Sequence, residues 1–548
     1  MCGLFAITSR RPIERERVSR GLDALQHRGP DGQGIYVSRD QQVALGHRRL
    51  AILDREGGAQ PLFNEDQSVV AMVNGELYEH LDLRRDLEER GHRFTTGTDS
   101  ELIVHLYEEY GADLVHRLRG EFAFVLYDTR DRTLLAARDR FGIKPLVLYR
   151  DQHELLIASE AKALFAAGVR PSWDLGSVFQ SVCLQYPLEN RTLFAGVEQI
   201  PAGYLLRVVD GSVSMTRYWD MNHPPALDSN EPSEREVHER VIEIRQSLEQ
   251  AVVTRLRADV PVAFQLSGGI DSSAVLALAA PHVGKAHAFT VSFDAQSHDE
   301  MHIARETALH CGAELHIVEG TTASLVDVLE AAIGHGEGIA INAHIAAKWM
   351  LSRAIRAAGF AVVLTGEGSD EVLAGYPHLR RDLALAEPVH SSAASTSLTR
   401  LQSSNQASAG VMMPHGHTLS TDAIRHRLGF VPSWIEAKAS LGWRVAPLLA
   451  SDFMAERASR DAYRVFLDSM PVHEQLQGRT LVDQSLYLWN KTALAGYILK
   501  TLGDGMEMAH SIEGRLPFLD HMFFERARAL PLSLKIRDGV EKWRCERR

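Results

Sequence analysis

The chain has 548 residues, 45% hydrophobic and 24% charged, which is enough for two to four domains with sizeable cores. A net charge of −12 and a pI near 6.1 give no basis for binding nucleic acid or a membrane surface. The four cysteines, Cys2, Cys183, Cys311 and Cys545, lack metal-ligand spacing and disulfide density, and no apolar run reaches the roughly 18 residues of a membrane span. A reducing, cytoplasmic setting is expected. The opening MCGLFAITSRR is no signal peptide, because its apolar stretch is short and its arginines follow it.

In chain order, Cys2 comes first. Small residues after Met1 let the initiator be removed, and a cysteine at a free N-terminus carries its own base. An α-amine with a reference pKa near 8 can relay the thiol proton without a histidine. The turn His27-Arg28-Gly29-Pro30-Asp31 follows, then Arg48-Arg49 at the start of an apolar strand running to Ile52. Val73-Asn74-Gly75-Glu76 reads as a strand ending in an Asn-Gly turn. Thr96-Gly97-Thr98-Asp99-Ser100-Glu101 reads as a helix cap ahead of Leu102. Gly120 to Asp128 and Leu134 to Arg140 read as paired strands, and helical patterns fall at about 15–27, 80–90 and 100–117, which predicts an α+β sandwich.

This order resembles the glutaminase domain of class II amidotransferases, the N-terminal-nucleophile type with an αββα sandwich. The likeness spans about residues 2–205 and includes Gly142-Ile143-Lys144-Pro145-Leu146 and Ser159-Glu160-Ala161-Lys162. The resemblance implies that Cys2 attacks the side-chain amide of L-glutamine, forms a thioester and releases ammonia. It implies an oxyanion hole from the Asn74 side chain and the Gly75 backbone N–H. Two donors aimed at a developing oxyanion stabilise it by several kcal/mol. It also implies that Arg49 pairs with the glutamine α-carboxylate and that Glu76 and Asp99 hold its α-ammonium end.

Prolines and polar residues from Tyr218 to Ser233 mark a linker. The expected domains are therefore 1–215 and 236–548, joined by 216–235. A helical pattern runs from Glu234 to about Leu256. Val260 to Leu266 then reads as a buried strand, followed by Ser267-Gly268-Gly269-Ile270-Asp271-Ser272-Ser273 and a helix beginning near Ala274. A strand, a glycine turn and a helix N-terminus make an anion site. Strand and helix then alternate: Ala288–Phe293, Glu300–Cys311, Glu314–Val318, Leu325–Ile333, Ala346–Ala358, Ala361–Leu364. This predicts a doubly wound parallel sheet with ligands at the carboxyl ends of its strands. The last strand ends in Thr365-Gly366-Glu367-Gly368-Ser369-Asp370-Glu371, three carboxylates that call for cations or metal-bound phosphates.

The seven-residue Ser-Gly loop resembles the pyrophosphate loop of ATP pyrophosphatases. With TGEGSDE, the glutaminase half and Leu502 to Asp520, nearly the whole chain resembles glutamine-hydrolysing asparagine synthetases of the B type. That likeness implies an enzyme that makes an acyl-adenylate from ATP and a carboxylic acid, by default aspartate, and converts it to the amide with tunnelled ammonia. Ser267, Gly268, Gly269, Ser272 and Ser273 would hold the phosphates, and Asp271 and Asp370 magnesium. Val291, Thr365 and Gly366 would line the AMP site beside Gln265. Glu367 would serve the acyl centre and Lys542 would steady pyrophosphate. A homodimer is the assembly the family implies. Two features depart from the pattern. No arginine lies between Ile333 and Lys348 to clamp an α-carboxylate, which favours a different acceptor acid, with Asn342 and His344 as candidate contacts. The sequence also ends at Arg548, shortly after Lys542, where family members continue with helices around the synthetase site, so the ligase activity is the half at risk. The Ser- and Ala-rich stretch at about 388–420 reads as an insertion.

Overall fold

The structure, a computed structural model, describes residues 2–226, 232–293, 299–386, 401, 412–457, 460–537 and 540–542. Most of the 388–420 stretch, and everything after Lys542, lie outside them.

The first half holds twelve strands: β1 (Gly3–Ser9), β2 (Gly32–Val37), β3 (Val43–Arg49), β4 (Leu62–Phe63), β5 (Val69–Leu77), β6 (Gly120–Asp128), β7 (Thr133–Arg138), β8 (Val147–Arg150), β9 (Glu154–Ala158), β10 (Val197–Gln199), β11 (Tyr204–Val209) and β12 (Ser212–Arg217). They form two six-stranded sheets, ordered β10-β8-β9-β1-β3-β2 and β12-β11-β7-β6-β5-β4. Strands bury alternate side chains on opposite faces. In β1, Leu4 and Ala6 sink between the sheets with Val43, Leu45, Val70 and Met72. Phe5 and Ile7 point the other way, onto Val18 and Leu22 of α1 (Arg15–Asp23). On the outer face of the second sheet Val69, Ala71 and Val73 meet Leu102, Ile103 and Leu106 of α3 (Leu102–Tyr110), which follows α2 (His80–Glu89). Both faces of both sheets are covered, so the half is an αββα sandwich.

Two local expectations are corrected. The arginine pair ends β3 rather than beginning a strand. And β5 does not stop at Asn74-Gly75 but runs on to Leu77, with Asn74 opposite Ala123 and Gly75 opposite Phe122. Glycine is needed there for space and not for a turn. Its φ is +141°, and a Cβ would lie 1.9 Å from the Glu121 carbonyl oxygen.

The second half opens with a helix at Glu234–Thr254, started by a capping box between Ser233 and Glu236. A five-stranded sheet follows, β13 (Val262–Gln265), β14 (His287–Phe293), β15 (Glu314–Gly320), β16 (Val362–Leu364) and β17 (Glu513–Arg515), ordered β15-β14-β13-β16-β17 with every pair parallel. Helices at Ile270–Ala279, Asp299–His310, Thr322–Gly336 and His344–Ala357 connect its strands, as the alternation predicts. Edge strand β17 is an addition. Its three residues, from the Glu513-Gly514-Arg515 stretch, are too few to show a period of two. The helix after the Ser-Gly loop starts at Ile270, so Asp271, Ser272 and Ser273 lie in its first turn. Among the described residues, no helix is long and apolar enough to cross a membrane.

Candidate active sites

Cys2 enters β1 from a pocket that Arg49, Gly75, Glu76 and Asp99 also line, so five of the six expected glutamine-site residues converge there. Asn74, the sixth, is joined to it: the Cys2 backbone N donates to Asn74 Oδ1 at 2.7 Å. That bond fixes the amide so that Nδ2 is the free end. Asn74 is fully buried and its Nδ2 has no hydrogen-bond partner. A buried donor without an acceptor costs about 1–3 kcal/mol, and an oxyanion beside Cys2 relieves it. Arg49 is aimed by its own loop, donating to the carbonyls of Asp54 at 2.6 Å, Arg55 at 2.9 Å and Leu53 at 3.1 Å. Asp99 is held by the Leu77 N–H at 2.5 Å and the Thr98 hydroxyl at 3.0 Å. Burial, and then each other's proximity, push the Glu76 carboxyl up, and burial does the same to Asp99. Burial also pushes the Cys2 thiol up, while Arg49 pulls it down. No histidine lines the pocket among the described residues.

One wall of this pocket comes from the other half of the chain. Glu513, in β17, lines it, and its neighbour Arg515 reaches Glu76. Arg28, from the His-Arg-Gly-Pro-Asp turn, makes a second tie. It donates Nε to the Cys2 carbonyl at 3.0 Å, and Nη1 to Glu160 at 2.7 Å and to Asp504 at 2.6 Å. Sequence reading quoted both stretches without assigning these roles, since only folding brings them together.

In the second half, the Ser-Gly loop is self-supporting. Gly268 has φ +88°, the Ser267 hydroxyl accepts from Gly269 N at 3.2 Å, and Ser272 Oγ bridges Ser267 N and the Gly269 carbonyl at 3.1 Å each. The second glycine-rich strand end packs directly on it. A Cβ on Gly366 would fall 2.7 Å from Ser272 N and 3.0 Å from the Asp271 carbonyl carbon. The contact brings Asp271 and Asp370 to one cation: Lys542 Nζ lies 2.6 Å from both carboxylates. Burial opposes the Lys542 charge, but Asp370 and Asp271 outweigh it and hold the ammonium above the usual lysine range. Ser369 also donates to Asp271 at 2.7 Å.

The three carboxylates of TGEGSDE part ways. Glu371 turns inward to the Tyr376 hydroxyl at 2.6 Å and the Trp489 ring N–H at 3.3 Å. Burial and Asp370 push it up to about 8. Glu367 faces a cavity also lined by Thr365, Glu507, Lys144 and Ile143, the last two from the first half. Burial pushes the Glu367 carboxyl up against the pull of Lys348. Thr365 is buried, takes a hydrogen bond from Glu367 N at 3.3 Å and gives its own N–H to the Arg515 carbonyl at 3.1 Å. Val291 lies half-buried toward the end of β14, one strand from Gln265.

Lys348 was not foreseen. It is buried, with Nζ 2.6 Å from Gln265 Oε1 and 3.0 Å from Glu507, and Gln265 Nε2 is left as a buried donor without a partner. Gln265 therefore presents its side chain here. Asn342 and His344 are exposed, and Asn342 Oδ1 accepts from His344 N at 3.0 Å, a local turn ahead of the helix.

Comparison with known proteins follows this division. A glutamine amidotransferase domain family matches residues 1–219, and the asparagine synthase family matches residues 243–546. The chain is 33% identical to "Amidase chry2" of Gibberella zeae, across 99% of this chain and 85% of that one. It is 34% identical to "Amidase chyE" of Penicillium rubens, across 95% and 79%. To "Asparagine synthetase [glutamine-hydrolyzing] 1" of Bacillus subtilis it is 29% identical, across 99% and 83%.

Proposed function

The chain belongs to the glutamine-hydrolysing asparagine synthetase family, a glutamine-dependent carbon–nitrogen ligase that uses ATP, and from that premise we propose how its residues divide the reaction. Cys2 attacks glutamine, with its own α-amine as base and Asn74 and Gly75 as oxyanion donors. Arg49, Glu76 and Asp99 orient the amino-acid end. Ammonia passes by the cavity between Lys144 and Glu367 to the acyl-adenylate. There Glu367, raised by burial, accepts the proton that ammonia sheds as it attacks. Ser267, Gly268, Gly269, Ser272 and Ser273 hold the phosphates. Val291, Thr365, Gly366 and Gln265 surround the AMP moiety.

Asp271 and Asp370 fit magnesium, since they already share one cation, and that ion would neutralise the pyrophosphate as it leaves. Lys542 steadies the same group from the other side. The observation that carries the reading is this meeting of two glycine-rich strand ends, each bringing a carboxylate to one buried lysine, a geometry that serves adenylation.

For the acceptor we propose a carboxylic acid other than aspartate. Residues 334–347 carry neither lysine nor arginine, and the buried cation at the acyl end is Lys348. The two fungal relatives bear amidase names, which accords with amide formation on another acid. The reaction is placed in the cytoplasm, and a homodimer is the proposed assembly. The deciding experiment is a panel of carboxylic acids, aspartate included, assayed for glutamine-dependent AMP and pyrophosphate. The expected result is a strong response to an acid that lacks the α-carboxylate of aspartate. If glutamine is hydrolysed but no acid elicits pyrophosphate, the ligase reading is lost; if aspartate alone does, the acceptor reading is lost.

A further inference from the structure

We propose that Glu65, His92, His105 and Glu108 form a closed structural site for a divalent metal ion, best suited to zinc, in the glutaminase half and outside both reacting centres. His105 and Glu108 stand three residues apart on α3 and so share a helix face. Glu65 comes from the turn between β4 and β5, and His92 from the loop after α2. Their ligand atoms already surround one point. His92 Nδ1 is 3.5 Å from Glu65 Oε1 and 3.7 Å from Glu108 Oε2. His105 Nδ1 is 3.6 Å from Glu65 Oε2 and 3.8 Å from Glu108 Oε2. Donors bound tetrahedrally to zinc at about 2.1 Å stand roughly 3.4 Å from one another; here one ligand atom from each of the four residues lies within 4.8 Å of the others, so the site closes by drawing them inward.

A plain ion-pair cluster of protonated histidines is the competing account, and the geometry argues against it. Charge-assisted N–H···O bonds close to about 2.8 Å, and none of these four separations does. His105 is fully buried, yet its Nδ1 has no hydrogen-bond partner, and neither does Glu108 Oε2. Orphaned buried polar atoms are costly, and here they converge.

The outer atoms of three of the four ligands are held by hydrogen bonds, as metal ligands usually are. His92 Nε2 lies 3.2 Å from Glu109. His105 Nε2 faces Glu101 at 3.8 Å, and Glu101 is itself gripped by the N–H groups and hydroxyls of Thr95 and Thr96 at 2.6–2.9 Å. Glu108 Oε1 accepts from Asn64 at 2.8 Å, and Glu65 Oε1 from the Arg93 N–H at 2.7 Å. The Nδ1 atoms of both imidazoles face the carboxylates. Two imidazoles and two carboxylates, with no fifth group among the described residues, make a closed set, which is the pattern of a structural zinc site rather than a catalytic one. The ion ties three segments together, and the loop from His92 runs on through Thr95 and Thr96 to Asp99 in the glutamine pocket.

The test is metal content by mass spectrometry on the full chain, purified without a histidine tag and dialysed against dilute zinc chloride. About one zinc ion per chain is expected in the wild type and in Cys2→Ala, with at least tenfold less in the near-isosteric Glu108→Gln and in His92→Asn. Cobalt(II) loading should give the intense visible bands of a tetrahedral site in the wild type and in Cys2→Ala, and not in Glu108→Gln or His92→Asn. Chelation should lower the melting temperature of the wild type by several degrees, with recovery on adding zinc, and leave Glu108→Gln unmoved. Zinc well below one per chain with no cobalt bands overturns the proposal. So does equal zinc in wild type and Glu108→Gln, which keeps the side-chain shape and so separates lost ligation from lost folding.

Discussion

Arg515 Nη2 lies 3.1 Å from Glu76, an ion pair between the edge strand of the synthetase sheet and the glutamine pocket. The same guanidinium donates to Glu513 at 2.6 Å and to the carbonyls of Arg255 and Arg257 at 2.8 and 2.6 Å. Its backbone carbonyl takes the N–H of Thr365 at 3.1 Å. One residue therefore touches the pocket for glutamine and the strand end expected to hold AMP. Lysine keeps the charge but not the fork. Arg515→Lys is expected to raise the glutamine KM about tenfold, an effect of about 1.4 kcal/mol, while ammonia-supported synthesis changes less. Equal losses with both nitrogen donors would show that the residue only supports the fold.

How legible this was depended on how local the information is. The α+β sandwich was readable from its strand-like runs and helical patterns, its αββα layering only through the family resemblance, and the parallel sheet because its strands alternate with helices. The Asn74-Gly75 turn was misread because an Asn-Gly pair signals φ freedom, whereas here the glycine makes room for the Glu121 carbonyl of the next strand. Nothing within a few residues of position 75 encodes that neighbour. The same holds for Arg28 and Asp504, for Glu513 beside the Cys2 pocket, and for the divergence of Glu371 from Asp370: each is a tertiary pairing.

Cys2→Ala removes the nucleophile but leaves the Asn74 contact, which is made by the backbone. Glutamine-dependent amide formation is expected to disappear while the ammonia-dependent reaction stays within about twofold of the wild type, since the adenylation residues are untouched. Nitrogen-donor assays on one preparation decide it. Loss of both activities together would contradict two separable sites.

Gly366→Ala tests the packing of the two loops. The new Cβ meets backbone on both counts, at 2.7 and 3.0 Å, so no side chain can swing away to accommodate it. Asp271 and Ser272 must shift, and displacing a positioned group by even about 1 Å costs on the order of a hundredfold. Pyrophosphate release should fall by about that factor with glutaminase activity retained. Adenylation at the wild-type rate would mean that the loops are not held in register.

Glu371 sets a pH dependence of stability. Its folded value of about 8 stands above the ordinary carboxyl value of 4.5, with burial as the leading cause. The folded state thus binds more protons than the unfolded one between those values. Its contribution is complete below pH 4.5, declines as pH rises toward 8 and is gone above it. Glu371→Gln keeps an acceptor for Tyr376 and cannot ionise. Thermal melts from pH 5 to 9 should show the wild type losing stability faster than the variant, and parallel curves would place the carboxyl's ionisation elsewhere.

Lys542 presents the sharpest case, because among the described residues it is the one cation between two carboxylates that lie on different loops. With the ammonium gone, Asp271 and Asp370 face each other and the low dielectric magnifies their repulsion. The carboxyl of Asp370 is already pushed up by burial and held down chiefly by Lys542, so in Lys542→Met it takes up a proton more readily. Two consequences separate the role in chemistry from the role in structure. Pyrophosphate release should drop by about two orders of magnitude, with glutamine hydrolysis at Cys2 unchanged. Magnesium alone should raise the melting temperature of the variant more than that of the wild type, since a divalent ion restores the missing charge between the carboxylates. A variant that releases pyrophosphate normally, or that gains nothing from magnesium, would remove Lys542 from the adenylation machinery and the ion from Asp271 and Asp370.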